Sequence, residues 1–392
     1  MNYFMLRLLK AALIVFLIPL SCTNDPRIVE HGIFAKDRLE SVIGQDGVCS
    51  IYFDDDITLW TFADTITVTW KNDKGRAESD QKEAVIDGMI SNSIAWSEKI
   101  TEENYRDIHF SFHKNKKTGR VKQFIEHNKN EDPMKHRLWA LDGFRYKDKV
   151  YVFYLHIFVP DHMEFLKFDV LYTGIARWDI PQGWKPGDDF NFKRLGMLFD
   201  AGAPYFGAAA MIKDGHIYLV GHFKKDGKFP ISIARANIND VENRASYSFL
   251  SSTGEWVDDI NEAGDFIGDV SGECSLSYNE YLKEYIIIYS KTFTGDLAIV
   301  RFKEFKKFPK AKSSVVYKPN MKVEDYKLWP YSGKEIFSSN NRIYAIYIDP
   351  VKYQPILVEL IFGQHRQGGM RIMQTDKTTP PSAPLQGGVF PK

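Results

Sequence analysis

Asp214-Gly-His-Ile-Tyr218 reads as a polar turn followed by a short strand with an aromatic near its centre. The same phrase returns as Asp56-Ile-Thr-Leu-Trp60, Asp148-Lys-Val-Tyr151, Lys283-Glu-Tyr285-Ile and Asn341-Arg-Ile-Tyr344. Its aromatics fall at intervals of 91, 67, 67 and 59 residues, the first interval lengthened by polar residues 71–92. Behind each phrase comes a second apolar strand: Ile94-Ala-Trp96, Ile175-Ala-Arg177-Trp178, Ile233-Ala-Arg235, Ile299-Val-Arg301 and Leu357-Val-Glu359-Leu360. Self-similarity of short strands at a near-constant spacing signals stacked or radially arranged repeats. A unit of about four strands suits a propeller blade. The expected fold is all-β, a five-bladed β-propeller of four-stranded antiparallel blades.

Each unit opens on an expected inner strand. These are Gly47-Val-Cys-Ser-Ile-Tyr-Phe53, His136-Arg-Leu-Trp139-Ala-Leu-Asp142, Tyr205-Phe-Gly207-Ala-Ala-Ala-Met211, Gly272-Glu273-Cys-Ser-Leu-Ser-Tyr278 and Tyr331-Ser-Gly333-Lys-Glu335-Ile-Phe337. In the first unit, Ile57 to Ala63 and Thr65 to Trp70 are the strands that follow. The propeller is expected over residues 38–363, and the Gly-, Pro- and Thr-rich stretch 364–392 as a poorly ordered tail. With 392 residues, 44% of them hydrophobic and 14% aromatic, the chain can bury a large core. Lys plus Arg equals Asp plus Glu at 51 each, a balance without the basic footprint of a nucleic-acid partner.

Arg7 and Lys10 lead into an apolar run ending Ala11-Ala12-Leu13-Ile14-Val15-Phe16-Leu17-Ile18, followed by Pro19-Leu20-Ser21-Cys22. A basic start, a short apolar core and a small residue before a cysteine describe an export signal. Residues 1–22 resemble a bacterial lipoprotein signal, with Pro19 departing from the usual leucine. The resemblance implies lipidation at Cys22, a tether over 23–37 and a lipid-anchored position in the bacterial cell envelope, outside the cytoplasm. Export permits disulfides. Cys49 and Cys274 are read as two buried thiols, with pairing across the hub as the alternative.

Trp60-Thr-Phe-Ala-Asp64-Thr65 after Asp46-Gly47, Phe206-Gly207-Ala208-Ala209 before Asp214-Gly-His-Ile-Tyr218-Leu-Val-Gly221, and Gly272-Glu273-Cys-Ser-Leu-Ser-Tyr278-Asn resemble a bacterial propeller family. That family is domain of unknown function 4185, whose members include endo-D-arabinanases. Ala63 stands where the family pattern has glycine, and the last unit lacks a clear histidine–proline pair. The resemblance implies a glycosidase-like propeller with Asp46 and Asp64 as its catalytic carboxylates.

Glycoside hydrolysis usually needs two carboxyl groups flanking the scissile bond. Inner strands start at one face of a propeller, so acids near their starts converge on a funnel. Asp46, Asp64, Asp142, Glu273 and Glu335 are the acids so placed. Asp46 and Asp64, 18 residues apart, allow one strand out and one back. Glu273 joins them as third carboxylate, the alternative being a pair with Arg235. Asp142 and Glu335, with the rings of Trp139, Tyr205 and Phe206, are expected to bind substrate; Trp329 and Tyr331 lie in comparable positions. Core packing is the alternative for each ring. No cysteine or histidine cluster has zinc-ligand spacing, and Asp54-Asp55-Asp56 reads as a solvated turn. No cofactor is expected, calcium being the one hard cation compatible with oxygen ligands in the hub. Two functions remain: an anchored glycosidase acting on an arabinose-containing or related polysaccharide, or a non-catalytic propeller that binds glycan or protein.

Overall fold

The computed structural model describes residues 25–35, 41–72, 83–160, 167–321 and 328–363. The export segment 1–22 with Cys22, and the tail 364–392, lie outside the described residues. Among the described residues, helix is confined to short 3-10 turns such as Phe305–Lys310. The strands form six antiparallel sheets: one of five strands, four of four and one of three.

The repeated phrase forms the second strand of each larger sheet, and the apolar segment behind it the third. Tyr151 lies opposite Arg177, Tyr218 opposite Arg235 and Tyr344 opposite Glu359. Its aromatics fill the gaps between sheets: Tyr218 stacks on Phe305 with centroids 4.4 Å apart, and Tyr344 meets Tyr105 at 4.5 Å. Such rings bury large apolar area at low entropic cost, which is why this position in the phrase is aromatic.

The first strands of the larger sheets are Cys49–Tyr52, His136–Tyr146, Ala209–Lys213, Val270–Asn279 and Tyr331–Ser339. Each lies against the next, and the last lies against the first. This cyclic contact makes the fold propeller-like, with the first strands at the hub.

Three expectations about the elements need correction. Residues 23–37, expected as a tether, contribute Arg27–Ile33, which pairs antiparallel with Gln354–Ile361. Ile28 and Ile33 pack on the last sheet's core, and His31 Nε2 meets the buried Glu359 Oε2 at 2.9 Å. The beginning and end of the described chain thus share one sheet. Thr65–Trp70, expected in the first unit, leaves it for the three-stranded sheet with Val42–Gln45 and Ala84–Ile90; Ser93–Glu98 takes its place beside Ile57–Phe62. Thr65 Oγ1 anchors the departure, 2.8 Å from Ser93 Oγ and donating to Ala63 O at 3.0 Å. The third large sheet carries a fifth strand, Trp256–Val257, against Ser248–Leu250.

Candidate active site

Asp46 follows Val42–Gln45, and Asp64 follows Ile57–Phe62, at the same end of the first large sheet. Their backbones meet: Asp46 N donates to Asp64 O at 3.2 Å, and Ala63 N to Asp46 O at 3.0 Å. Gly47 has φ +61°, and a Cβ there would lie 2.8 Å from Ala63 Cβ and 3.3 Å from Glu273 Oε1. Only glycine lets this turn approach both neighbours. The fourth large sheet thereby delivers Glu273 beside the first sheet's two aspartates.

Three carboxyl groups so close cannot all stay ionised. Burial, then the Asp64 and Glu273 charges, push Asp46 well above the usual carboxylate range, although hydrogen bonding from Tyr331 and Tyr353 works against them. Tyr331 donates its hydroxyl to Asp46 Oδ2 at 2.8 Å. Burial raises Asp64 to about 6, offset in part by the Arg137 guanidinium and by Trp139. Trp139 Nε1 lies close enough to favour ionised Asp64, yet falls outside hydrogen-bonding geometry. Glu273 goes the other way: burial opposes its charge, but Lys334 and the Ser332 hydroxyl hold it below its ordinary value. Lys334 Nζ lies 3.6 Å from Glu273 Oε2, to which Ser332 Oγ also donates. Burial brings His222, which also feels Glu273, down to about 4, so it is neutral at pH 7.

As whole residues, Asp46, Asp64 and Glu273 are half-buried. Asp46 Oδ1, Asp64 Oδ1, Trp139 Nε1 and His222 Nδ1 are buried atoms without a hydrogen-bond partner in the chain. Buried polar atoms are ordinarily paired, so this group is suited to a polar ligand.

The other expected binding residues are divided. Asp142 and Glu335 do not join the trio; they line a separate hub cavity of about 170 Å³ with Cys49, Cys274 and Lys334. Asp142 accepts from the amides of Gly143 and Ala210, both at 2.8 Å, and Glu335 from Ser277 Oγ at 2.7 Å. Both carboxylates are thus committed to bracing inner strands. Phe206 is fully buried and packs on Phe199 and Phe249, so it is a core residue and not a substrate contact. Tyr205 is half-buried, its ring 5.8 Å from that of His222. Arg235 lies 4.1 Å over Trp256, leaving Lys334 as the partner of Glu273. Cys49 and Cys274 are free, buried thiols; Cys49 is 3.3 Å from Lys334 Nζ and burial raises it to about 12. Asp54 Oδ1 closes its turn by accepting from the amides of Asp56 and Ile57, both at 2.9 Å. Among the described residues no group of three or more His, Cys, Asp or Glu side chains could hold a metal ion.

A family model described as a domain of unknown function, DUF4185, matches residues 43–374. The chain belongs to the DUF4185 family. A search of curated proteins finds no match. Among solved structures, this DUF4185 protein is similar to a candidate hydrolase from Bacteroides ovatus ATCC 8483, with TM-score 0.59, 14% identity and coverage of 83% of this chain and 87% of that one. That likeness concerns the fold. A family 117 glycoside hydrolase of Zobellia galactanivorans (TM-score 0.48, 11% identity, 86% and 90% covered) and an alpha-L-arabinofuranosidase of Lactobacillus brevis (TM-score 0.47, 11% identity, 86% and 96% covered) are more distant. Ala63 is buried with its Cβ against Gly47.

Five residues of the site escape sequence reasoning: Arg137, His222, Ser332, Lys334 and Tyr353. Ser332 and Lys334 stand in the expected fifth inner strand, whose alternation could have marked them as hub-facing. Tyr353 sits in a polar turn at φ +53° and carries no such signal.

Proposed function

We propose that this protein is a glycoside hydrolase built on a five-bladed propeller, the five larger sheets being the blades and the three-stranded sheet an addition beside the first. The observation that carries the reading is the Asp46–Asp64 pair, joined through its backbones with Glu273 alongside, Asp46 pushed well above the usual carboxylate range and Asp64 to about 6. Hydrolysis of a glycosidic bond needs that division of labour. Asp46 supplies the proton to the leaving oxygen. Asp64, ionised above about pH 6, acts on the anomeric carbon directly or through water. Glu273 touches neither event; after burial and the Asp64 charge, its own charge adds to the upward push on Asp46. The unpaired polar atoms around the pair suit a ligand rich in hydroxyls.

The motif resemblance supports an arabinose-containing or related polysaccharide as substrate. The residues before Cys22 support a lipid-anchored enzyme acting outside the cytoplasm. The test is a polysaccharide panel with products detected by mass spectrometry, using wild type, Asp46→Asn and Asp64→Asn. Wild type should release oligosaccharides and each amide variant should be ~10²–10⁴-fold slower, the usual worth of positioned proton transfer. A wild type that binds glycan and never cleaves it makes the protein a non-catalytic binder.

A further inference from the structure

We propose that Phe293 and Trp329 form a stacking platform for one sugar ring at the rim of the carboxylate site; this rests on the hydrolase reading above. Phe293 is 60% exposed, and its ring centroid lies 5.1 Å from that of Trp329 at an interplanar angle of 59°. Its φ of +70° is unfavourable for a bulky residue and persists only where the surroundings enforce it.

They do enforce it. Thr292 N donates to Asp269 O at 2.7 Å and Thr292 Oγ1 to Val270 O at 3.0 Å. Gly295 N closes the turn on Lys291 O at 2.8 Å, and a Cβ on Gly295 would lie 2.3 Å from Pro330 Cδ. Trp329 is fixed in turn by Nε1 donating to Ser271 Oγ at 2.9 Å. The fold therefore holds a strained turn in order to present an aromatic face to water.

Its position says what it faces. Val270, which accepts from Thr292, opens the strand that carries Glu273. Trp329 and Pro330 run straight into Tyr331 and Ser332, which donate to Asp46 and Glu273. Trp329 to Tyr331 spans at most ~7 Å of backbone, so Trp329 is a close chain neighbour of the residues that hold the carboxylates. An aromatic face recognises the C–H face of a sugar ring while the ring's hydroxyls stay in water. A glycan bound across Asp46 and Asp64 would place a neighbouring ring there, making this pair a determinant of chain binding.

The test compares wild type with Phe293→Ala, Phe293→Tyr and Trp329→Phe, on the polysaccharide that the panel identifies and, for binding alone, on soluble arabinan. Phe293→Ala should raise KM about 5- to 10-fold, more than it lowers kcat, as expected for one lost aromatic contact; Phe293→Tyr should restore it. Glycan should change tryptophan fluorescence in wild type, and by clearly less in Trp329→Phe, where only the signal of Trp139 beside Asp64 remains. If wild type cleaves glycan and Phe293→Ala leaves KM unchanged, the platform is overturned while the hydrolase stands. If no glycan is cleaved, the hydrolase reading fails; a glycan-induced fluorescence change that depends on Trp329 still supports the platform, and no such change overturns it.

Discussion

Asp46 and Asp64 are carboxylates that the fold stabilises in the protonated form. Both have folded pKa values above the ordinary one. Each therefore contributes its full stability only below the unfolded value of ~4, and loses it as pH rises through the folded value. Asp64→Asn removes a penalty that is fully present at pH 8 and about half as large at pH 5. It should raise Tm by a few degrees at pH 8, and by less at pH 5, while nearly abolishing cleavage; active sites commonly trade stability for function in this way. Thermal melts at the two pH values check it, and a lower Tm at pH 8 contradicts it. This pair is legible in the sequence because both residues border strands of one unit, out and back. Glu273 is legible as an acid at a strand start, but its partner is not: Arg235 and Lys334 are equally available in the sequence, and only packing sends Arg235 to Trp256. Phe206 misleads for a related reason, since an aromatic before an inner strand can face the gap between sheets as easily as the funnel.

At the scale of elements, the turn-plus-aromatic phrase identifies the second strand of every large sheet because alternation and turn chemistry are local. Arg27–Ile33 defeats that kind of reading. Its sequence mixes polar and apolar residues, and His31 finds Glu359 at a separation of 328 residues. Thr65–Trp70 is recognisable as a strand, but alternation does not tell which sheet it joins. The closing strand has a measurable consequence. A chain beginning at residue 34 should melt at least ~5 °C below one beginning at residue 25, because Gln354–Ile361 becomes an exposed edge and Glu359 loses His31. Equal Tm values would mean that Arg27–Ile33 contributes nothing to the sheet's stability.

At the scale of the whole molecule, the neutral charge balance and the repeat spacing indicate an all-β chain without a nucleic-acid footprint, while the three-stranded addition and the hub cavity come from contacts no period encodes. Anchorage is a separate whole-chain expectation. Cys22→Ala should release the protein from membranes without changing its Tm, and metabolic labelling with a fatty-acid probe should mark wild type alone. A mature chain beginning elsewhere and unlabelled would contradict it. The pH dependence of kcat/KM, measured on the polysaccharide that the protein cleaves, tests the acid and base roles of Asp46 and Asp64 most directly. The rate should rise through about pH 6 as Asp64 ionises and fall on the alkaline side as Asp46 loses its proton. Glu273→Gln should move the alkaline limb to lower pH, because removing that charge makes ionised Asp46 less unfavourable. A rate that stays level from pH 4 to pH 8, or an alkaline limb that Glu273→Gln leaves in place, would contradict the assignment.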